Sequence, residues 1–243
     1  MRLPLSSAIV DRLDVLDETG STNAVLVERA RAGTAPEFSV VMTTNQTAGR
    51  GRLGRTWVAP PGKTIAVSVL LTPTDRLSWL PLLAGLAMTR AVRSLVTGHE
   101  VTLKWPNDVQ VDGLKVSGLL AELVPGAGVV IGAGLNLTID ESELPTPVST
   151  SLTLVGASPD DLVDRALAAY LGELRGLYEG MLAGADIRAQ VVAECSTIGR
   201  RVRVELPGGD DLYGTATGID AEGRLVVDDR VVAAGDVTHL RYE

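Results

Sequence analysis

The sequence predicts an α+β fold, in which a mixed, largely antiparallel sheet flanked by helices is followed by a small β-barrel. Two observations support this prediction. Short apolar stretches follow one another so closely between residues 101 and 139 that no crossover helix fits between them, so neighbouring strands must often pair antiparallel. After Ser196 the pattern changes to five short strands separated by turn residues, which is typical of a small barrel.

In the first half of the chain, the pattern of apolar and turn residues predicts alternating strands and helices. Turn and cap residues at Thr19–Asn23 precede a helical stretch, and the nearly continuous apolar run Lys63–Thr72 is typical of a strand in the middle of a sheet. In chain order, the predicted elements are a strand at Ala8–Leu16, a helix at Ala24–Ala32, strands at Phe38–Thr44 and Lys63–Thr72, and a helix at Ser78–Val96.

Further strands and two helices follow before the pattern changes near residues 195–199. Ser158 and Pro159 predict the start of the longer helix, as a cap residue and a proline at the first helical position. Strands are expected at Val101–Trp105, Val109–Val111, Val116–Val124 and Ala127–Ile139, and the second helix at Asp186–Cys195. The terminal strands are expected at Gly199–Leu206, Leu212–Ile219, Arg224–Val227, Val231–Ala233 and Val237–Tyr242, with a turn at Pro207–Asp210. We therefore expect two domains, residues 1–195 and residues 196–243.

Composition excludes several classes of protein. The chain of 243 residues carries a formal charge of −8, which argues against bulk binding to nucleic acid or to anionic membranes. Cys195 is the single cysteine, which rules out an internal disulfide framework and a cysteine-based zinc cluster. The opening residues do not form a signal peptide, and the longest apolar stretch, Trp79–Met88, is too short to span a bilayer. These features predict a cytoplasmic protein with no membrane or nucleic-acid partner.

A basic loop with the sequence GRGRLGRTW occupies Gly49–Trp57. No aspartate or glutamate occurs between Phe38 and Thr74, although Lys63 adds a further positive charge to the loop's three arginines. Glycines let a ligand approach the backbone closely, and guanidinium groups bind carboxylate or phosphate oxygens bidentately, so the loop predicts an anion site. The spacing is not that of a P-loop. The alternatives are a mobile surface loop and a nucleic-acid-binding arm.

Two further clusters contain candidate binding residues. The sequence KWPND at Lys104–Asp108 is followed by Lys115, and the two ammonium groups could face one pocket and bind phosphate or a developing negative charge. The alternative is an ordinary turn with two exposed lysines. The sequence GAGLNL at Gly132–Leu137 places glycines inside an apolar strand, which indicates either close approach by another group or a bulge in the core. Asn136 in this strand needs hydrogen-bond partners and could read an amide or a purine edge.

In this order, the three clusters resemble those of biotin protein ligases. The matching residues are Ser21-Thr22-Asn23, Gln46, the loop Gly49–Trp57, KWPNDV at Lys104–Val109, Lys115, Gly118 and GAGLNL at Gly132–Leu137. The resemblance implies a sheet like that of class II aminoacyl-tRNA synthetases, followed by an SH3-like barrel. It also implies a ligase-only form, because the first predicted strand leaves no room for the N-terminal DNA-binding domain that some members carry.

The resemblance implies a reaction in two steps. Biotin and ATP, with Mg²⁺, form biotinyl-5′-adenylate and pyrophosphate, and a lysine of a biotin carboxyl carrier domain of an acyl-CoA or pyruvate carboxylase then takes the biotin. Carboxylate and triphosphate repel each other, so their approach requires concentrated positive charge. The glycine-arginine loop is expected to close over the bound ligand, because water would hydrolyse the mixed anhydride.

The site residues are also implied by the resemblance. Lys115, Arg50 and Arg52 are expected to be catalytic. The biotin-binding residues are expected to be Ser21, Thr22, Asn23, Gln46, Gly49, Arg50, Gly51, Arg52, Lys115, Gly118 and Gly134. The ATP-binding residues are expected to be Arg55, Trp57, Lys104, Asn107, Gly132 and Asn136, and Asp108 is a candidate magnesium ligand. His99 and His239 are expected to be structural or surface residues.

Two rival functions stay open at this point. A lipoate-protein ligase shares the sheet but lacks this arginine-rich loop. A non-catalytic nucleic-acid-binding module would use the basic loop and the barrel, would bind in a strongly salt-dependent way and would show no ATP chemistry.

Overall fold

The main element of the fold is a seven-stranded sheet. The computed structural model describes residues 1–58, 60–206 and 209–240. The strands are β1 (Leu13–Leu16), β2 (Val40–Thr43), β3 (Thr64–Leu71), β4 (Val101–Lys104), β5 (Asp108–Val111), β6 (Leu114–Val124) and β7 (Gly128–Asn136). Their order is β1-β2-β3-β7-β6-β5-β4, and among these neighbours only β1 and β2 run parallel. The predicted mixed, largely antiparallel sheet is thereby confirmed, with β3 in its interior as expected.

Helices cover the two faces of this sheet unequally. They are α1 (Pro4–Ser7), α2 (Thr22–Arg31), α3 (Leu80–Leu95), α4 (Leu162–Leu182) and α5 (Ile187–Glu194). On one face of the sheet, α3 packs against both the strands and α4, and these elements bury the larger core. On the opposite face, α2 covers a small apolar cluster. Within the described ranges, no helix combines the length and apolar character needed to cross a bilayer.

A second, five-stranded sheet follows in the C-terminal region. Its strands are β8 (Arg201–Glu205), β9 (Asp211–Ile219), β10 (Leu225–Val227), β11 (Arg230–Val232) and β12 (Asp236–His239), ordered β11-β10-β9-β8-β12 with every neighbouring pair antiparallel. The five predicted strands are therefore present, and closure into an SH3-like barrel stays a prediction. Pro207 and Gly208 of the predicted turn, and residues 241–242 of the last predicted strand, lie outside the described residues.

Two predicted boundaries were wrong. The predicted strand Ala8–Leu16 is strand only from Leu13, and α1 precedes it. This short helix forms because Asp164, buried on α4, accepts hydrogen bonds from the backbone N–H groups of Leu5 and Ser6, both at 2.9 Å. A contact so distant in sequence leaves no local signal.

The longer helix begins at Leu162 and not at Ser158. Asp161, the residue before it, has a left-handed φ of 47°, so the preceding segment forms a turn and Pro159 lies outside the helix. The second helix of this pair was predicted correctly, and Asp186 caps it by accepting a hydrogen bond from the backbone N–H of Ala189 at 3.0 Å.

The C-terminal sheet is bound to the larger sheet by buried polar contacts. The indole N–H of Trp79 donates to the carbonyl of Ala221 at 2.7 Å, and that of Trp105 donates to Gly223 at 3.2 Å. Nearby, the backbone N–H of Trp105 donates to Thr197 Oγ1, which also lies 3.1 Å from His239 Nε2. One hydrophobic core is continuous across the two regions. The division at residues 195 and 196 stays a prediction.

We expect His239 to make stability depend on pH. Burial, with smaller contributions from Lys104 and Arg200, lowers the pKa of His239 from 6.5 to about 4. Because the unfolded chain takes up a proton below pH 6.5 and the folded one does not until about pH 4, the free energy of unfolding falls as the pH drops through this window. Allowing for partial solvent exposure, we expect a loss of about 1 kcal/mol at pH 5 relative to pH 7.5.

The measurement is urea unfolding of the wild type and of His239→Asn at both pH values. The variant has no imidazole to protonate, so its stability should change less between the two pH values than that of the wild type. Equal changes in the two proteins would contradict the assignment to His239.

Candidate active site

The site lies on the α2 face of the sheet, where three strands present small side chains side by side. Because side chains alternate across a strand, the residues on this face form rows across β3, β7 and β6. The rows are Thr64–Asn136, Ala66–Gly134–Gly118, Ser68–Gly132–Leu120 and Leu70–Val130–Glu122. The last row joins the apolar cluster under α2 through Leu70 and Val130. In the two middle rows, Gly118, Gly132 and Gly134 leave a shallow floor on which other side chains can rest.

The glycines of this floor are required by the side chains seated on them. A Cβ at Gly132 would lie 2.2 Å from Asn23 Oδ1, and a Cβ at Gly134 would lie 2.3 Å from Trp57 Cε2. A Cβ at Gly118 would approach both Lys115 and Trp57, at 3.1 and 3.2 Å. Of the two interpretations of GAGLNL, close approach by another group is therefore correct.

The N-terminus of α2 forms a polar end of the site. Ser21 caps the helix, and its Oγ accepts from the backbone N–H of Ala24 at 3.4 Å. The backbone N–H of Thr22 donates to Gln46 Oε1 at 3.0 Å. Ser68 Oγ lies 2.8 Å from Thr22 Oγ1 and 2.6 Å from Asn23 Oδ1. These contacts orient the predicted biotin-binding residues, and Ser68 is a supporting residue that the sequence analysis missed.

The glycine-arginine loop folds back on itself as a narrow hairpin. The backbone N–H of Gly51 donates to the carbonyl of Arg55 at 2.7 Å, and that of Trp57 donates to Gly49 at 3.0 Å. A Cβ at Gly49 would lie 2.5 Å from the carbonyl oxygen of Trp57, so the narrow turn excludes other residues there. Leu53 at the tip has a left-handed φ of 53°. The hairpin returns the chain so that Trp57 reaches the glycine floor.

Three of the cations in this region are paired with carboxylates from elsewhere in the chain. The ion pairs are Arg50 with Glu122 at 2.9 Å, Lys115 with Asp108 at 2.7 Å, and Arg55 with Asp236. Arg52 instead donates to the side-chain oxygen of Asn107 at 3.2 Å. Lys63, counted with the basic loop in the sequence, pairs with Asp140 and Glu143 and does not line the pocket.

Burial changes the electrostatics of two further groups. Burial lowers the pKa of Lys104 and of Arg52, and Asp108 and Asp236 partly offset this effect in both. A cation that has lost part of its hydration interacts more strongly with an anion brought beside it. Lys115 lies beside the floor, with its ammonium group 5.8 Å from the centroid of the Trp57 ring.

Most of the predicted site residues meet in one pocket. Those lining it are Ser21, Thr22, Asn23, Gln46, Arg50, Gly51, Arg52, Arg55, Trp57, Asn107, Asp108, Lys115, Gly118, Gly132 and Gly134. Gly49, Lys104 and Asn136 are predicted residues outside this lining. Asp236 also lines the pocket, and no sequence signal identifies it because nothing local connects this residue of the C-terminal sheet to the arginine loop.

Three buried polar groups on the site face of the sheet lack hydrogen-bond partners among the described residues. Asn136 donates from Nδ2 to the carbonyl of Thr150 at 2.9 Å, but its Oδ1 has no partner. The indole N–H of Trp57 and the hydroxyl of Thr64, which is paired with Asn136 across the sheet, also have none. Each such group costs about 1–3 kcal/mol when it stays unpaired, so the site retains capacity for a polar ligand. Across the described ranges, no three His, Cys, Asp or Glu side chains group closely enough to hold a metal ion.

Comparison with known proteins identifies the family. The model of the biotin/lipoate A/B protein ligase family matches residues 15–136, and the model of the biotin protein ligase C-terminal domain matches residues 197–240. A biotin--[acetyl-CoA-carboxylase] ligase from Mycobacterium tuberculosis is 43% identical over 95% of this chain and 90% of its own length.

The chain belongs to the biotin protein ligase family.

More distant members of the biotin protein ligase family agree with this assignment. The bifunctional ligase/repressor of Bacillus subtilis is 29% identical over 88% of this chain and 68% of its own length. The solved structure of the biotin protein ligase from Aquifex aeolicus in complex with biotin and ATP superposes with a TM-score of 0.77 at 25% identity, covering 95% of this chain and 99% of that chain. Both the predicted fold class and the predicted family are thereby confirmed.

We expect Gly134→Ala to disturb the floor of the pocket. The added methyl group would overlap the Trp57 ring, and forcing an extra methylene into a packed site costs about 1–3 kcal/mol. The tryptophan emission should shift as the ring moves towards water. Urea unfolding and fluorescence spectra check both effects.

The matched control is Gly176→Ala on α4, where no neighbouring atom lies within 4 Å of the added Cβ. Replacing an exposed mid-helix glycine should stabilise the protein by about 0.5–1 kcal/mol and leave the emission unchanged. Similar stability changes in the two variants would contradict the close contact at Gly134.

Proposed function

We propose that this protein is a biotin protein ligase, which activates biotin with ATP to biotinyl-5′-adenylate and transfers biotin to a lysine of a carrier protein. The observation that supports it best is the single pocket in which the family's arginine loop, Lys115 and the polar end of α2 meet. The relative from Mycobacterium tuberculosis is named for this activity, and the Aquifex aeolicus structure contains both substrates.

The first step requires two anions to meet. A carboxylate oxygen of biotin attacks the α-phosphorus of ATP, the bond to the bridging oxygen breaks, and pyrophosphate leaves. Arg50, Arg52 and Lys115 border the pocket in which this occurs, and their positive charge offsets the repulsion and stabilises charge developing at phosphorus. We assign Lys115 to the oxygens of the carboxylate and the α-phosphate, because its ammonium group lines the pocket close to Gly118 in the middle of the floor.

The pocket has one polar end and one end rich in charge. We assign the polar end, formed by Ser21, Thr22, Asn23 and Gln46, to the biotin head group, which offers amide-like donors and acceptors. We assign the charged end to ATP. Arg55, Trp57 and Asn107 line this end, and we also assign to ATP Lys104 and Asn136, which lie outside the lining. Asn136 and Trp57 each carry a buried polar atom without a partner among the described residues. Gly132 was expected to bind ATP; because the Asn23 side chain rests on it, we propose instead that Gly132 seats Asn23 at the polar end.

Magnesium enters this scheme with the nucleotide. Mg²⁺ prefers phosphate and water oxygens and needs few protein ligands. Asp108 was the predicted ligand, but its carboxylate lies 2.7 Å from the ammonium group of Lys115. We therefore propose that the phosphate oxygens hold Mg²⁺, where it would neutralise charge on the triphosphate, and that Asp108 orients Lys115.

In the second step, the amine of an acceptor lysine attacks the carbonyl carbon of the adenylate, the bond to the phosphate oxygen breaks, and AMP leaves. We propose biotin carboxyl carrier domains of acyl-CoA or pyruvate carboxylases as acceptors, in line with the name of the Mycobacterium tuberculosis relative. Because the proposed reaction consumes ATP, we also propose a cytoplasmic location.

We expect Lys115→Ala to reduce biotin-dependent exchange of pyrophosphate into ATP by about 100-fold or more, because the charge between the two anions is lost. The measurement is the exchange rate at saturating biotin and ATP. The matched control is Lys63→Ala, whose ammonium group pairs with Asp140 and Glu143 outside the pocket and whose loss should leave exchange unchanged.

Normal exchange by Lys115→Ala would remove this lysine from the mechanism, and no exchange by the wild type would overturn the proposed function. Lipoate offered in place of biotin tests the lipoate ligase alternative. Salt-dependent binding of RNA or DNA without exchange would support the nucleic-acid alternative.

A further inference from the structure

Glu122 occupies a particular place beside the pocket. It follows Gly118 and Leu120 on the same face of β6, one row beyond the glycine floor. Its Oε1 accepts from the side-chain amide of Asn23 at 2.7 Å and from the guanidinium of Arg50 at 2.9 Å. One carboxylate oxygen therefore links the start of α2 to the arginine loop. Glu122 itself does not line the pocket, so any effect on the ligand must pass through these two partners.

The Asn23 side of this link is rigidly held. Asn23 Oδ1 lies 2.6 Å from Ser68 Oγ, and the amide rests on Gly132, where there is no room even for a Cβ. The amide nitrogen also donates to the carbonyl of Leu120 at 3.3 Å. Asn23 is thus fixed by the sheet, and its side-chain amide donates to Glu122 from a defined direction.

The Arg50 side of the link is a loop that reaches the rest of the protein through few side chains. Its arginines have three separate partners, which are Glu122 for Arg50, Asn107 for Arg52 and Asp236 for Arg55. Of these partners, only Glu122 also contacts a residue at the polar end of α2.

We propose that Glu122 is a positioning residue of the biotin subsite, which holds the arginine loop against Asn23 before the substrate arrives. This inference rests on the proposed function and assigns to Glu122 a part of the same site. A loop already in its bound position loses less conformational entropy on binding, so the gain is in affinity for biotin. The proposed function assigns the reacting atoms to Lys115, and once both substrates are bound they hold Arg50 in place themselves, so the rate of the chemical step at saturation should depend little on this contact.

The test compares Glu122→Gln with Asp211→Asn. The first variant keeps the shape and an acceptor oxygen but removes the charge that binds Arg50. The second removes the charge from a similarly exposed ion pair, Arg203 with Asp211, in the C-terminal sheet. Two quantities are measured, which are the KM for biotin in pyrophosphate exchange and the rate at which trypsin cuts after Arg50, Arg52 and Arg55 without ligand.

We expect Glu122→Gln to raise the KM for biotin about fivefold, as suits the loss of a partly exposed ion pair, and to change kcat by less than about twofold. Trypsin should cut the unliganded loop faster in this variant, and saturating biotin with ATP should remove the difference. Asp211→Asn should change neither quantity. A double variant provides a further check. When Arg50→Gln is already present, adding Glu122→Gln should not raise the KM for biotin above that of Arg50→Gln alone.

An unchanged KM with an unchanged cleavage rate would overturn the inference. A loss in kcat with no change in KM would also overturn it, since Glu122 would then act in the chemical step.

If Glu122→Gln does not fold, Asn23→Asp serves as the second variant, because it places a like charge opposite Glu122. Trypsin should then cut the unliganded loop faster than in the wild type, and an unchanged cleavage rate would overturn the inference. Failure of the wild type to use biotin would overturn the proposed function, and the cleavage rates would still report on the loop.

Discussion

The site depends on a strip of sheet in which three glycines leave the backbone uncovered. Gly118, Gly132 and Gly134 lie in adjacent rows of β6 and β7, and the space that a Cβ would fill at two of them is taken by Asn23 and Trp57. These two residues come from a helix start and from a loop, so the bare strip brings together segments that are distant in sequence. The polar end and the arginine loop meet only because the sheet lets both approach its backbone.

A second constraint is the balance of charge among the residues of the pocket. Arg50, Arg55 and Lys115 each have a carboxylate partner, so the site is not the unopposed cluster of positive charge that the acid-free stretch of sequence suggests. Such pairing keeps cations in place near one another, where they would otherwise repel. Incoming phosphate and carboxylate oxygens must compete for the same cations, which favours ligands able to contact several of them at once.

The C-terminal sheet takes part in the site, although its sequence shows no chemistry. It contributes Asp236 to the pocket, and its turn at residues 220–223 receives the indole N–H groups of Trp79 and Trp105. Trp105 belongs to KWPND, and Lys104 beside it contributes to lowering the pKa of His239. The motif that we propose contributes to ATP binding is therefore supported from the C-terminal region.

The sequence by itself determined the order of the elements, the antiparallel pairing of the closely spaced strands and the three motifs, because periodicity, turn residues and local composition are short-range properties. It did not determine the helix α1, the turn at Ser158–Asp161 or the residues Ser68, Glu122 and Asp236, because each depends on partners far away along the chain. Likewise, only the tertiary structure separated Lys63 from the loop cations and showed that two glycines of one strand seat Asn23 and Trp57. Packing decided these points, since the cost of an extra Cβ or an unpaired charge is set by whatever the fold brings beside it.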